Sequence, residues 1–189
     1  MRVNLHAVVP CSRANGPGAR FVVWFQGCSL GCAGCFNPET HQAAPRLVLA
    51  VEELVDRLKE ASAMVEGLTV TGGEPFQQPR ALLALLTGVR ERTTLSTLVF
   101  SGYRLDEIRR RPLGDETLCH VDVLVDGRYE AARHHGLGLR GSSNQRVHLL
   151  TTRYGLYDIE DVPPGEVLID PQGRVTVTGV APLRFHAVT

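Results

Sequence analysis

Arg20-Phe-Val-Val-Trp-Phe25-Gln-Gly-Cys28-Ser-Leu-Gly-Cys32-Ala-Gly-Cys35-Phe36 decides the fold of this chain. Its first six residues are a short apolar run, closed by Gln26-Gly27 and preceded by Gly16-Pro-Gly18, which reads as a buried strand. A loop carrying three cysteines therefore begins where a strand ends. Three thiolates this close together can hold three irons of a cubane cluster and leave the fourth iron without a protein ligand. A purely electron-carrying cluster normally has four cysteines. Zinc is the competing reading, because thiolates suit both metals and His41 lies near enough in sequence to complete a Cys3His set.

Outward from that strand the pattern alternates. Val51, Leu54, Val55, Leu58 and Ala61 recur at helical spacing over residues 51 to 64, and Gly67 to Thr71 follows as the next strand. After Gly72-Gly-Glu-Pro75 come a second helix marked by Leu82, Leu85, Leu86 and Val89, then a strand from Leu95 to Phe100. A short helix near 105 to 111 precedes a fourth strand, His120 to Val125, closed by Asp126-Gly127. Strands separated by helices predict crossover units and a parallel sheet, whose sites collect at the carboxyl ends of its strands. Cys28, Gly72, Ser101 and Asp126 all fall there. Residues 128 to 140 read as a loop, Gln145 to Leu150 as a fifth strand, and Val167 to Val177 as a hairpin turning at Pro171-Gln-Gly173.

With 189 residues, 43% of them hydrophobic, the chain predicts one domain over 1–189 that needs no disulfides, with 151–189 as a C-terminal extension holding the hairpin. Twenty basic residues balance twenty acidic ones, which argues against a nucleic-acid partner. The start of the chain lacks the apolar core of a signal peptide and no run is long enough for a membrane helix, so a cytoplasmic protein is expected. Five cysteines, an odd number unevenly clustered, favour metal or redox use over a disulfide framework. Cys11 and Cys119 stand apart and are expected as small buried hydrophobes; Trp24 and Phe36 are expected first as core, and His134-His135 as a solvated turn.

Asn15-Gly-Pro-Gly18 with Arg20, Gln26-Gly-Cys28, Gly34-Cys-Phe-Asn-Pro-Glu-Thr40, Gly72-Gly-Glu-Pro-Phe76, Ser101-Gly-Tyr103, Val123-Leu-Val-Asp-Gly127 and Arg140-Gly-Ser-Ser-Asn-Gln-Arg146 follow one another in that order. Together they resemble the radical S-adenosylmethionine superfamily, and within it the activating enzymes of anaerobic ribonucleotide reductase. The resemblance implies a partial, open (β/α) barrel of parallel strands. It also implies a [4Fe-4S] cluster on Cys28, Cys32 and Cys35, and S-adenosylmethionine bound with its amino group at Gly72, Gly73 and Glu74. Reductive cleavage to methionine and a 5′-deoxyadenosyl radical would follow, and hydrogen abstraction from a glycine of a partner enzyme would store a glycyl radical there. Reduced flavodoxin or ferredoxin would donate the electron.

Ser101 and Asp126 are candidates for the ribose hydroxyls or the methionyl carboxylate, or are loop hydrogen-bonders. Ser142, Ser143 and Asn144 either hold the adenosine portion or cap a loop, and Gly72-Gly73 with Glu74 can be read as a tight strand-to-helix turn. No catalytic base is assigned, since hydrogen-atom abstraction needs none. In many enzymes of the superfamily an aromatic precedes the third cysteine, whereas here Gly34 precedes it and Phe36 follows. Three rivals stand beside this reading. They are a small-molecule enzyme like 7-carboxy-7-deazaguanine synthase, a zinc-stabilised interaction module, and a plain electron carrier with a fourth thiolate.

Overall fold

The computed structural model describes residues 1–181. Strands β1 (Arg2–Ser12), β2 (Arg20–Phe25), β3 (Leu47–Ala50), β4 (Gly67–Gly72), β5 (Ser96–Ser101), β6 (Val123–Asp126) and β9 (Arg146–Leu149) build a seven-stranded sheet in the order β3-β1-β2-β4-β5-β6-β9. Two small ribbons stand apart from it, β7 (His134–Leu137) with β8 (Arg140–Ser142), and β10 (Gly165–Ile169) with β11 (Val175–Gly179). Helices α1 (Val51–Ala61), α2 (Pro79–Arg92), α3 (Leu105–Arg109), α4 (Gly114–Leu118) and α5 (Leu156–Glu160) complete the elements.

The centre of the sheet is parallel, β2 with β4, β4 with β5 and β5 with β6, as expected for a partial open (β/α) barrel. Its margins are antiparallel: β1 pairs with β2 and β3, and β9 with β6. The fifth strand expected at Gln145 to Leu150 is thus present but runs against its neighbour. The segment from 128 to 140 is not a plain loop; it contains β7.

Alternation along the parallel strands sends side chains to two unlike layers. Phe21, Val23 and Phe25 of β2 and Leu68 and Val70 of β4 join the apolar stripe of α1 and α2 (Leu54, Val55, Leu58, Leu82, Leu85, Leu86) in the main core. On the other face Leu98, Val123 and Val125 pack with Leu139, Ile159 and Val162, so α5 and the residues after it cover one end of that face. Arg20 lies beneath this cover, fully buried. Its guanidinium donates to the Thr69 hydroxyl (3.1 Å), the Ser96 hydroxyl (2.6 Å), the Tyr154 hydroxyl (3.1 Å) and the Leu68 carbonyl (2.8 Å). Hydrogen bonds satisfy this buried charge and knit three strands to the segment that follows β9. The other end of that face, at the carboxyl ends of β2, β4 and β5, is open to a cavity.

Candidate functional site

At that open end lies a cavity of about 440 Å³ whose wall includes Cys28, Cys32 and Cys35. The cysteine loop leaves β2 through Gly27 and turns at Gly31 and Gly34, whose φ angles of 61° and 71° favour a residue without Cβ. All three thiols are half-buried and free. Burial lifts the Cys28 thiol above its ordinary value, and the charges of Glu74, Cys32 and Cys35 add to that, while the Leu30 main chain opposes it. Burial likewise lifts Cys35, against the N–H of Asn37, which donates to its sulfur at 3.4 Å. Among the described residues no three His, Cys, Asp or Glu side chains gather as ligands of one ion. A cubane does not require that, because its three thiolates bond three different irons. Three half-buried soft donors on one loop, open to a cavity, fit such a cluster.

The β4 corner closes the loop's other side. Gly72 and Gly73 line the cavity, and both press on the main chain that leads into the cysteine loop. A Cβ at Gly72 would stand 2.5 Å from the Phe25 nitrogen, and one at Gly73 2.4 Å from the Gly27 carbonyl oxygen. The Gly73 N–H donates to Phe25 (2.8 Å) and the Glu74 N–H to Gly27 (2.9 Å). The close approach these glycines permit is therefore between β4 and the root of the loop. Gly73→Ala is expected to cost the apoprotein about 1–3 kcal/mol by overpacking, read by urea unfolding.

Glu74 is fully buried. Its carboxylate accepts from the Phe76 N–H (3.0 Å), the Ser101 hydroxyl (2.9 Å) and the Gly102 N–H (2.8 Å), which ties β4 to the end of β5. Burial pushes its pKa up to about 7 despite these donors. Ser101 also lines the cavity, with its hydroxyl accepting from the Tyr103 N–H at 3.0 Å.

Asp126, Ser142 and Asn144 stand behind the wall. The Asp126 carboxylate accepts from the Leu105 N–H (2.6 Å) and lies 3.0 Å from His148 Nε2. The Ser142 hydroxyl accepts from the Glu130 N–H (3.1 Å), and the Asn144 amide donates to the Arg128 carbonyl (2.8 Å). What they brace does reach the cavity, namely Gly127, Tyr129, Gly141 and Gln145. Tyr129 packs on Phe36 with ring centroids 4.4 Å apart, and His134 meets Phe36 edge-on at 5.6 Å, so His134 belongs to an aromatic cluster. Trp24 is buried, as expected, and lines the cavity.

Cys11 and Cys119 are exposed, against expectation. Cys11 sits where β1 loses register with β2 between Val9 and Ser12, and Cys119 ends the short α4. The wall also includes His6 and, from the hairpin, Thr176 to Val180, which sequence reading did not single out. The alternation of Val3 and Leu5 could have revealed the strand that carries His6.

A family model described as "4Fe-4S single cluster domain" matches residues 14–148. The anaerobic ribonucleoside-triphosphate reductase-activating protein of Enterobacteria phage T4 is 33% identical over 151 residues, 77% of this chain and 93% of the relative. The protein of the same name from Escherichia coli K12 is 30% identical over 155 residues, 78% and 99% respectively. A crystal structure of QueE from Escherichia coli overlaps 54% of this chain and 53% of its own, with a TM-score of 0.45 and 17% identity.

Proposed function

The chain belongs to the 4Fe-4S single cluster domain family and, within it, to the anaerobic ribonucleoside-triphosphate reductase-activating proteins, and from that membership we propose that it is a radical S-adenosylmethionine enzyme installing a glycyl radical on such a reductase. One observation carries the reading: the three-cysteine loop and the Gly72-Gly73-Glu74 corner share a single cavity. Cys28, Cys32 and Cys35 would hold the [4Fe-4S] cluster, and Gly72, Gly73 and Ser101, which line the same cavity, would take part in binding S-adenosylmethionine. Together these cofactors supply reductive cleavage of S-adenosylmethionine to methionine and a 5′-deoxyadenosyl radical.

The chain's own residues bind, orient and exclude water. Burial raises the Cys28 and Cys35 thiols above their ordinary value, so each would have to give up a proton to bind iron. Glu74 holds the β4 and β5 ends at a fixed separation, so the floor beneath the cofactor is set before it binds. Asp126, Ser142 and Asn144 act on the nucleoside side by bracing the loops that present Tyr129 and Gln145. The electron donor in this reading is reduced flavodoxin or ferredoxin.

Anaerobically reconstituted, dithionite-reduced protein given S-adenosylmethionine is expected to form 5′-deoxyadenosine. With the reductase added, an organic radical is expected on the reductase by electron paramagnetic resonance. An intact cluster that yields neither product, with the reductase present, would overturn the assignment.

A further inference from the structure

The hairpin β10–β11 lies beyond the family model, which ends at residue 148. It is pinned to the turn between β1 and β2. The Glu166 carboxylate accepts from the Ser12 hydroxyl (2.6 Å) and the Arg13 N–H (2.9 Å), and the Asn15 amide donates to the Thr178 hydroxyl (2.9 Å). Glu166 and Thr178 are cross-strand partners, so one face of the hairpin makes these contacts. Val167, Ile169, Val175 and Val177 alternate with them onto the opposite face, where Ile169 is 70% and Val175 58% exposed.

Held this way, β11 and the residue after it enter the wall of the cysteine cavity as an unbroken run, Thr176 to Val180. A strand that turns its pleated face to a cavity contributes every second residue. An unbroken run is what a strand contributes when its main-chain edge, rather than one pleated face, borders the space. The pairing fixes which groups that edge carries. The Asp170 N–H donates to the Arg174 carbonyl at 3.1 Å, which makes 170 and 174 a hydrogen-bonded pair. By alternation the pairs Leu168/Thr176 and Glu166/Thr178 are hydrogen-bonded too, whereas Val175, Val177 and Gly179 direct N–H and C=O away from β10. Among the described residues β10 and β11 form a sheet of two strands, so no third strand covers this edge.

We propose that β11 is a strand-addition site: its edge from Val175 to Gly179 pairs with an extended peptide segment of the protein partner and lays that segment across the cavity toward the cysteine loop. The partner's identity rests on the activase reading above; the manner of holding it rests on the hairpin. A main-chain grip suits a segment centred on glycine, which offers no side chain to recognise, and Val175 and Val177 supply β-branched surface for the residues that flank it.

Amide exchange read residue by residue in the cluster-loaded protein tests this, alone and with the full-length anaerobic ribonucleoside-triphosphate reductase of the same cell. Alone, the amides of Thr176 and Thr178 should exchange slowly and those of Val175, Val177 and Gly179 fast. With the reductase bound, the latter three should slow by at least about tenfold, the scale of one protected hydrogen bond. Val177→Pro, which removes an outward N–H and none that pairs with β10, should weaken association about tenfold, and Val177→Ala clearly less. Association with exchange at Val175, Val177 and Gly179 unchanged would overturn the strand-addition site and leave the activase reading standing. No association of the wild type would remove both.

Discussion

Alanine at any one of Cys28, Cys32 or Cys35 is expected to abolish 5′-deoxyadenosine formation, whereas Cys11→Ala and Cys119→Ala leave it near the wild-type level. A cubane held by three protein thiolates has no spare ligand among the cysteines, because Cys11 and Cys119 are exposed and neither lines the cavity. Losing a bracing residue behind a metal ligand typically costs 10- to 100-fold, so losing the ligand itself should cost more than about a hundredfold. Iron and sulfide content after anaerobic reconstitution checks the cause. It should fall in each of the three loop variants and hold in the other two. If Cys119→Ala emptied the protein of iron, the ligand assignment would be wrong. Zinc in place of iron after expression under iron-replete, anaerobic conditions would instead revive the interaction module.

The parts of the fold that sequence revealed are those whose stability is local or whose burial is complete. β2 is buried at all six positions and reads as an unbroken apolar run, and α1 buries Leu54, Val55, Leu58 and Ala61 at helical spacing. β1 and β3 escaped notice for the converse reason. β1 alternates buried with half-exposed positions, loses register twice against β2 and contains Pro10; β3 has only four half-buried residues. The direction of β9 is a tertiary fact, set by how the chain returns past β6 after the β7–β8 ribbon.

The site divides along the same line. The three cysteines and the Gly72-Gly73-Glu74 corner carry their chemistry in adjacent residues, so they were legible. The hairpin's place in the wall depends on Ser12 meeting Glu166 and Asn15 meeting Thr178, contacts 154 and 163 residues apart that no periodicity announces. Gly72 and Gly73 show a subtler limit. Their spacing after a strand signalled a close approach, but whether the approaching group is a ligand or the chain's own main chain is decided only in three dimensions.

Glu74 should make the stability of the apoprotein fall as pH rises from about 4.5 to about 7. Its carboxyl is fully buried, and burial raises its pKa from 4.5 to about 7 while the Phe76 and Gly102 N–H groups and the Ser101 hydroxyl pull the other way. Because the folded pKa exceeds the unfolded one, the native state binds more protons than the unfolded chain across that window. Stability from this group is therefore complete below pH 4.5 and is lost as pH climbs through 7. A difference of 7 minus 4.5 corresponds to about 3 kcal/mol. Urea unfolding of wild type and Glu74→Gln at several pH values between 5 and 8 isolates the effect, since the amide does not titrate. Between pH 5 and 8 the gap between the two proteins should change by roughly 2–3 kcal/mol, with the wild type losing ground as pH rises. Parallel curves would mean that the carboxylate is ionised throughout and that its three donors outweigh burial. The same comparison at one pH bears on the site's rigidity. Glutamine turns an N–H₂ toward donors that need an acceptor, leaving at least one of the Gly102 N–H, the Phe76 N–H or the Ser101 hydroxyl unpaired in the interior, at about 1–3 kcal/mol. The ends of β4 and β5 that this carboxylate ties together are the floor on which Gly72, Gly73 and Ser101 face the cysteine loop.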